Sequence, residues 1–361
     1  MIYIILTILA ICILLTNGKQ KPIGVFFAFA LLFVGGFRDA TIGTDTGLDS
    51  WYYHNFIFTN FNPKSWNRYT PFEPGFNLFI AAFKNLITYN YYVFYSVVFF
   101  LSYFFAIKAI KKLHLNVFLF LSFCFLSNYY ANSLNIMRQM LALYIGFYLL
   151  VVLYIEKKQI WLYEFSIACL AILIHKSMFM LCLFPLFELP RLQRILTTKA
   201  LLLILFISLS LSIYGGEFIG QNLIHLSGLF GERADFYIDI HEQYGISERT
   251  VGYIGPTLLS LCLIGLPIKN RNAFFYYSFI GLCASLITTS FLPVIGRLTL
   301  NMSFFYIVYL TQNWSLCNFS LKEKYMIIAI KTLFIIYWIN SLMGALINNP
   351  EYNPYKSYLL N

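Results

Sequence analysis

The sequence predicts an all-α protein that crosses a membrane about twelve times, and three observations carry that prediction. Hydrophobic residues make up 60% of the 361 residues and charged ones 11%, whereas soluble domains have about 45–50% and about 25%. Apolar runs recur along the whole chain, and at about 20 residues per helical span twelve spans take roughly 240 residues. The cations gather in alternate connections between those runs. The chain is therefore read as a single integral membrane domain over 1–361, with little left for a separate soluble one.

The apolar segments fall at about 1–16, 22–37, 91–107, 117–131, 136–155, 161–175, 177–189, 200–214, 252–268, 273–290, 293–312 and 325–347. Residues 1–16 lack a basic start and end at Thr16-Asn17-Gly18 without a small-x-small cleavage site, so they read as a first span. Segment 76–88 stays outside the set. Asn77, Ala81, Lys84, Asn85 and Thr88 share one helical face and Phe76, Phe79, Ile80 and Phe83 the other, which suits a helix in the interface or against a wet cleft. Two long connections remain, 38–90 and 215–251, and 231–242 within the second reads as a short amphipathic helix.

Charge sets the orientation. With twelve spans one side collects Lys19 and Lys21, Lys108, Lys111 and Lys112, Lys157 and Lys158, Arg191, Arg194 and Lys199, Lys269 and Arg271, and Lys322 and Lys324. That side is the cytoplasm by the positive-inside rule. Both termini and both long loops then lie outside, with eleven of the fifteen acidic residues. Counting 76–88 as a span would put Lys108, Lys111 and Lys112 opposite Lys19 and Lys21.

Several classes are disfavoured. The net charge of +10 is scattered and forms no basic stripe, which argues against a nucleic-acid partner. The seven cysteines form no CxxC and six lie in apolar runs, which argues against a disulfide framework or structural zinc. No Walker loop, GxGxxG, HExxH or GxSxG occurs.

Charges within apolar helices cost about 2.5–3.5 kcal/mol at mid-membrane, so they mark the bundle interior or a wet cavity. Arg138, Arg297, His175 and the pair Arg38-Asp39 all sit near the outer ends of their segments and converge on one membrane face. Lys331 lies nearer the inner face, where it can snorkel. Arg138 belongs to Asn135-x-x-Arg138-Gln139, and Ala142 and Gly146 follow at helical spacing as a small face that packs closely on a neighbour. The arginine thus points inward, where its fork offers paired donors to a phosphate; the plain alternative is a snorkelling or carbonyl-paired arginine. Arg297 has Asn301 one turn on. His175-Lys176-Ser177 sits at a helix turn, and on spacing alone His175 is a hydrogen-bonded interface residue before it is a catalyst.

The first outer loop runs Phe37-Arg38-Asp39, Gly43-Thr44-Asp45-Thr46, Asp49, then Trp51, Tyr52 and Tyr53. Carboxylates beside small residues and followed by flat rings suit a sugar site, with one carboxylate as proton acceptor; the alternative is an aromatic interface belt with solvated acids. Glu73 precedes Pro74, suited to a first helical position, so Glu73 also fits a helix's positive end. In the second loop Arg233 and Arg249 can help hold an anion. Asp235, Asp239 and His241 match no specific ligand spacing, so no metal and no other cofactor is expected.

Arg38 with Gly43-Thr44-Asp45, Glu73-Pro74-Gly75-Phe76, Asn135-x-x-Arg138-Gln139-x-x-Ala142 and His175-x-Ser177, in this order, resemble the EpsG branch of the Wzy-type polysaccharide polymerases over roughly residues 1–310. Asp39 departs from the aromatic or apolar residue of the family pattern. The resemblance implies a GT-C-like glycosyltransferase of the bacterial inner membrane, using undecaprenyl-diphosphate-linked repeat units as donor and acceptor at the outer leaflet. It implies Arg138 and Arg297, with Arg38 or Arg233, on the diphosphate, and Asp45, Glu73 or His175 as base. Trp51, Tyr52, Asn135 and Gln139 then face the sugars, and a chain-length regulator is an implied partner. An O-antigen ligase and a lipid-linked oligosaccharide flippase are the competing readings; a flippase should show paired half-helices or midplane charges instead.

Overall fold

The computed structural model describes residues 1–39, 41–43, 45–48, 50–66, 72–214, 254–266, 271–289, 293–314, 321–349, 352 and 355–359, without the side chains of 289, 293–297 and 321–323. Most of these residues are helical and none of them lies in a strand; Arg38 and Ser357 form one isolated antiparallel bridge. They fall into two compact units, Met1–Cys182 with Leu310–Ser315 and Ile335–Asn361, and Leu183–Tyr309 with Leu316–Phe334.

All twelve apolar segments carry helix. Among the described residues the α-helices in chain order are α1 (Ile2–Leu15), α2 (Lys21–Gly36), α3 (Trp51–Phe58), α4 (Pro74–Leu86), α5 (Tyr91–Lys112), α6 (Val117–Leu126), α7 (Tyr129–Asn135), α8 (Met137–Leu149), α9 (Ile160–Leu173), α10 (Pro190–Ile195), α11 (Thr198–Tyr214), α12 (Ile254–Gly265), α13 (Ala273–Thr289), α14 (Pro293–Ser303), α15 (Phe305–Asn313) and α16 (Leu321–Leu342). Among the described residues three stretches are long and apolar enough to cross a membrane, Tyr91–Lys112, Met137–Glu156 and Lys324–Ile347; the bent pair α6 and α7 makes a fourth. Phe26, Phe29, Phe165, Phe206 and Ile336 stand exposed on α2, α9, α11 and α16, as rings and branched chains do where lipid is the solvent.

Three local features bear on the site and its frame. Segment 117–131 bends by 70° between α6 and α7, where Asn128 takes the left-handed conformation at φ 65° and donates from Nδ2 to Ser341 Oγ at 2.6 Å. Asparagine is one of the few residues for which that conformation costs little. Segment 177–189 is a 3₁₀-helix, Lys176–Glu188. Its rise of about 2.0 Å per residue lets this short run reach about 26 Å, a third further than an α-helix of equal length. Finally, the first turns of α4 are enclosed on both faces, Asn77 and Ala81 as much as Phe76, Ile80 and Phe83, while Asn85 at its end is exposed. Part of the polar face expected in the interface or against a wet cleft binds protein. Lys84 Nζ donates at 2.7 Å to each of the Phe56, Ile57 and Thr59 carbonyls, at the negative end of α3. Burial pulls this lysine down to about 8, so at neutral pH it keeps the three N–H donors that three carbonyls require.

Within the first unit, α4 packs its Phe76, Ile80 and Phe83 against Phe56, Tyr91, Phe94, Tyr95, Met137 and Leu141 from α3, α5 and α8. Its two ends are distinct. At one end Tyr3 meets Tyr355 edge to face at 6.2 Å, Asp39 N donates to Lys356 O at 2.9 Å, and Ser357 Oγ donates to Phe37 O at 2.7 Å. At the other, Asn116 Nδ2 donates to Gly18 O at 3.2 Å, Lys112 pairs with Glu156 at 3.3 Å, and Trp314 Nε1 donates to Leu14 O at 2.9 Å. Both termini thus share an end with the start of the first long loop, and the connections carrying Lys19, Lys112 and Lys157 share the opposite one. In the second unit Phe184, Phe274, Tyr277 and Phe305 form an aromatic core, and Arg271 ties the start of α11 to the end of α12 through Thr198 Oγ1 at 3.0 Å and Ile264 O at 2.9 Å.

This two-ended arrangement predicts the outcome of thiol labelling in a cysteine-free background. In intact spheroplasts an impermeant reagent should reach Lys356→Cys and spare Lys19→Cys and Lys112→Cys. Equal labelling at 19 and 356 would contradict the arrangement.

Candidate functional site

Arg138 reaches the site because α8 begins where it does. Ile136, at φ −90° and ψ 53°, interrupts the helix after α7, so Arg138 stands in the first turn of α8, where the free N–H groups carry partial positive charge. The helix then packs through Ala142 and Gly146; a Cβ on Gly146 would stand 2.4 Å from Leu181 Cδ1. The close-packing face expected from the small residues is therefore real, and it turns Arg138 inward at 8% exposure.

There the guanidinium meets Glu73, itself 7% exposed: Arg138 Nη1 donates to Glu73 Oε2 in a buried ion pair. The Phe72 ring lies 4.2 Å and the Phe76 ring 6.0 Å from the guanidinium carbon, distances at which ring faces attract a cation. Arg138 Nε has no acceptor among the described residues. The Glu73-Pro74-Gly75-Phe76 run supplies this geometry residue by residue. Glu73 is the N-cap of α4 and Pro74 its first residue. Gly75 lets the helix approach α9 so closely that a Cβ would stand 2.7 Å from both Cβ and O of Leu173. Asn77 Nδ2 holds the Phe72 carbonyl at 3.1 Å.

The end of α9 brings in the third motif. Lys176 N donates to Glu73 Oε1 at 3.3 Å, so both carboxylate oxygens are engaged. His175 Nδ1 lies 2.6 Å from Ser177 Oγ and accepts from Ser177 N at 3.3 Å. With Nδ1 as acceptor, the neutral ring carries its proton on Nε2. His175 in this state is a donor.

The fourth motif arrives through Asn135, whose Oδ1 accepts from Asp45 N at 2.7 Å. Gly43, at φ 107°, lies against the Leu134 carbonyl and Asn135, a backbone conformation that disfavours a side chain. Tyr52 Oη accepts from Arg138 N at 3.4 Å and its ring meets Phe72 at 5.1 Å. Trp51 is half exposed and Gln139 is buried.

Of the expected arginines, Arg38 is observed elsewhere and two have side chains outside the described residues. Arg38 is fully buried and spends its guanidinium on backbone: Nε to Ile42 O at 3.3 Å, Nη1 to Gly35 O at 2.9 Å and Nη2 to Leu134 O at 2.5 Å. It braces the loop that presents Asp45 and is not presented to a ligand. Arg297 belongs to α14 in the second unit with its side chain outside the described residues, as Arg233 and the 231–242 stretch are altogether. Sequence reasoning missed Phe72 and the Lys176 N–H, since neither a lone ring nor a backbone donor carries a signal.

The chain belongs to the EpsG family, a family of Wzy-like polysaccharide polymerase type, whose profile matches residues 21–357. The match extends past the resemblance seen in the motifs, through the last helix and into the tail that packs on Phe37. No curated protein and no solved structure matches the chain.

Two substitutions test the construction. Arg138→Ala leaves Glu73 buried without its cation, which should cost about 3–5 kcal/mol in unfolding free energy, and adding Glu73→Gln should recover a large part of it. Strict additivity would mean that the pair is not coupled. Gly75→Ala should cost about 1–3 kcal/mol by forcing α4 from Leu173, and an unchanged melting temperature would contradict that packing.

Proposed function

We propose that the chain is a membrane glycosyltransferase that joins undecaprenyl-diphosphate-linked oligosaccharide repeat units into surface polysaccharide, on the outer face of the bacterial inner membrane. One observation carries the reading: the buried Arg138–Glu73 pair, with the Lys176 N–H on Glu73 and Asn135 on the Asp45 N–H, brings remote motifs together within the first unit. Family membership supports it. On this reading the twelve helical segments are twelve spans in a GT-C-like arrangement, and the end bearing Arg138 faces outward.

The chemistry follows from charge. The acceptor hydroxyl oxygen attacks the anomeric carbon of the donor, the bond to the diphosphate oxygen breaks, and that electron pair leaves with the diphosphate. A guanidinium fixed in a low-dielectric site stabilises the developing charge better than one in water, and its fork grips two phosphate oxygens. Arg297 and Arg233 are supplementary cations for the same diphosphate. The hydroxyl proton passes to a carboxylate. Asp45 is the better base, because Asn135 fixes its backbone near the first turn of α8. Trp51 and Tyr52 offer flat faces to sugars, and Asn135 and Gln139 offer amides. A chain-length regulator would act as a partner outside this site.

Confinement of the charges to one end favours an enzyme with one-sided access over a flippase, which needs a cavity passing through the midplane. Purified protein in detergent should convert lipid-linked repeat units into a ladder spaced by one repeat, without nucleotide and despite chelator. Arg138→Lys should abolish most of it at equal accumulation, because a point charge does not reproduce the fork. No elongation by folded protein with its cognate unit would overturn the polymerase reading. Transfer only to a core-lipid acceptor would indicate a ligase.

A further inference from the structure

Glu73 sits where an anion would sit. Its two oxygens take one N–H from the Arg138 guanidinium and one from the Lys176 backbone at the start of the 3₁₀-helix, a pairing of a cation with a helix-end N–H that suits a phosphate equally well. Arg138 Nε is buried with no acceptor among the described residues, so the guanidinium is only partly used. The carboxylate alone also leaves the pair electrically neutral, and the Phe72 ring 4.2 Å from the guanidinium closes over it.

We infer that Glu73 is an internal stand-in for a phosphate: it fills a phosphoryl site formed by Arg138 and the Lys176 N–H, and an incoming diphosphate displaces it. This rests on the reading of Arg138 as the diphosphate ligand and deepens it. In low dielectric a carboxylate and a phosphate competing for the same N–H groups repel strongly, since they are like charges at contact. The phosphate therefore takes both N–H groups and can add the idle Nε, and Glu73 turns away with Phe72. The resting protein avoids an unpaired buried cation, which would otherwise destabilise it, and the carboxylate is released only when donor is bound. Glu73 is thus a positioning residue that holds Arg138 ready, and its effect on the donor is competition.

Inorganic pyrophosphate is the probe, titrated into the detergent-purified full chain and read by calorimetry and thermal melting. Glu73→Gln removes the competing charge, so it should bind pyrophosphate at least about tenfold more tightly than the native protein. It should melt lower than native protein without the anion and regain much of that loss with it, since a ligand that binds only the folded state stabilises it. Arg138→Gln in the same background should abolish both effects. Should Glu73→Gln not accumulate, Glu73→Asp, which withdraws the carboxylate by one methylene, should show the same tightening in smaller measure. Equal or weaker binding by the Glu73 variants, or tightening that survives loss of Arg138, would overturn the inference. Polymer formation by native protein is measured separately: a ladder without tightening sinks only the stand-in role, and tightening without a ladder sinks only the polymerase reading.

Discussion

The buried pair of Arg138 and Glu73 is the constraint on which the rest of the first unit depends. Neither charge is stable alone among phenylalanine rings, so the helices carrying them must arrive together. Each neighbouring feature serves that meeting. The break at Ile136 starts α8 one residue before Arg138, Pro74 and Gly75 bring Glu73 against the end of α9, and the Lys176 N–H takes the remaining oxygen. A buried ion pair adds little net stability over apolar packing, so its presence in a bundle this apolar points to use rather than to strength.

A second layer of contacts holds the frame. Arg38 ties Gly35, Ile42 and Leu134 together through its guanidinium, and Tyr95 Oη donates to its carbonyl. Lys84 closes the end of α3 in the same manner. Both cations satisfy carbonyls that a chain leaving its helices would otherwise bury unpaired. The C-terminal tail adds Tyr355 Oη on Val34 O at 3.0 Å to its bonds with Phe37 and Asp39, so it holds the end of α2 and the start of the first loop together.

Much of this was legible in the sequence, for reasons that differ by element. Apolar runs located the helices because lipid demands them, and Arg138, Glu73, Asn135 and His175 stood out because polar groups in such runs need a partner. The small face of Ala142 and Gly146 gave the inward direction of Arg138. What escaped was whatever depends on backbone acceptors and local conformation. Arg38 beside Asp39 looks like a ligand residue, yet its acceptors are carbonyls as distant as Leu134, and carbonyls have no signature in sequence. The 70° bend at Asn128 and the 3₁₀ course of Lys176–Glu188 are invisible to hydropathy. The enclosure of Asn77 and Ala81 on the polar face of α4 is likewise hidden, because amphipathicity reports two unlike faces, not what covers each.

The most direct test of the account is a structure of the full chain in lipid nanodiscs with undecaprenyl diphosphate bound. The account predicts phosphate oxygens within hydrogen-bonding distance of the Arg138 guanidinium and the Lys176 N–H, with the Glu73 carboxylate withdrawn from both. A diphosphate bound elsewhere, with Arg138 and Glu73 still paired, would contradict it.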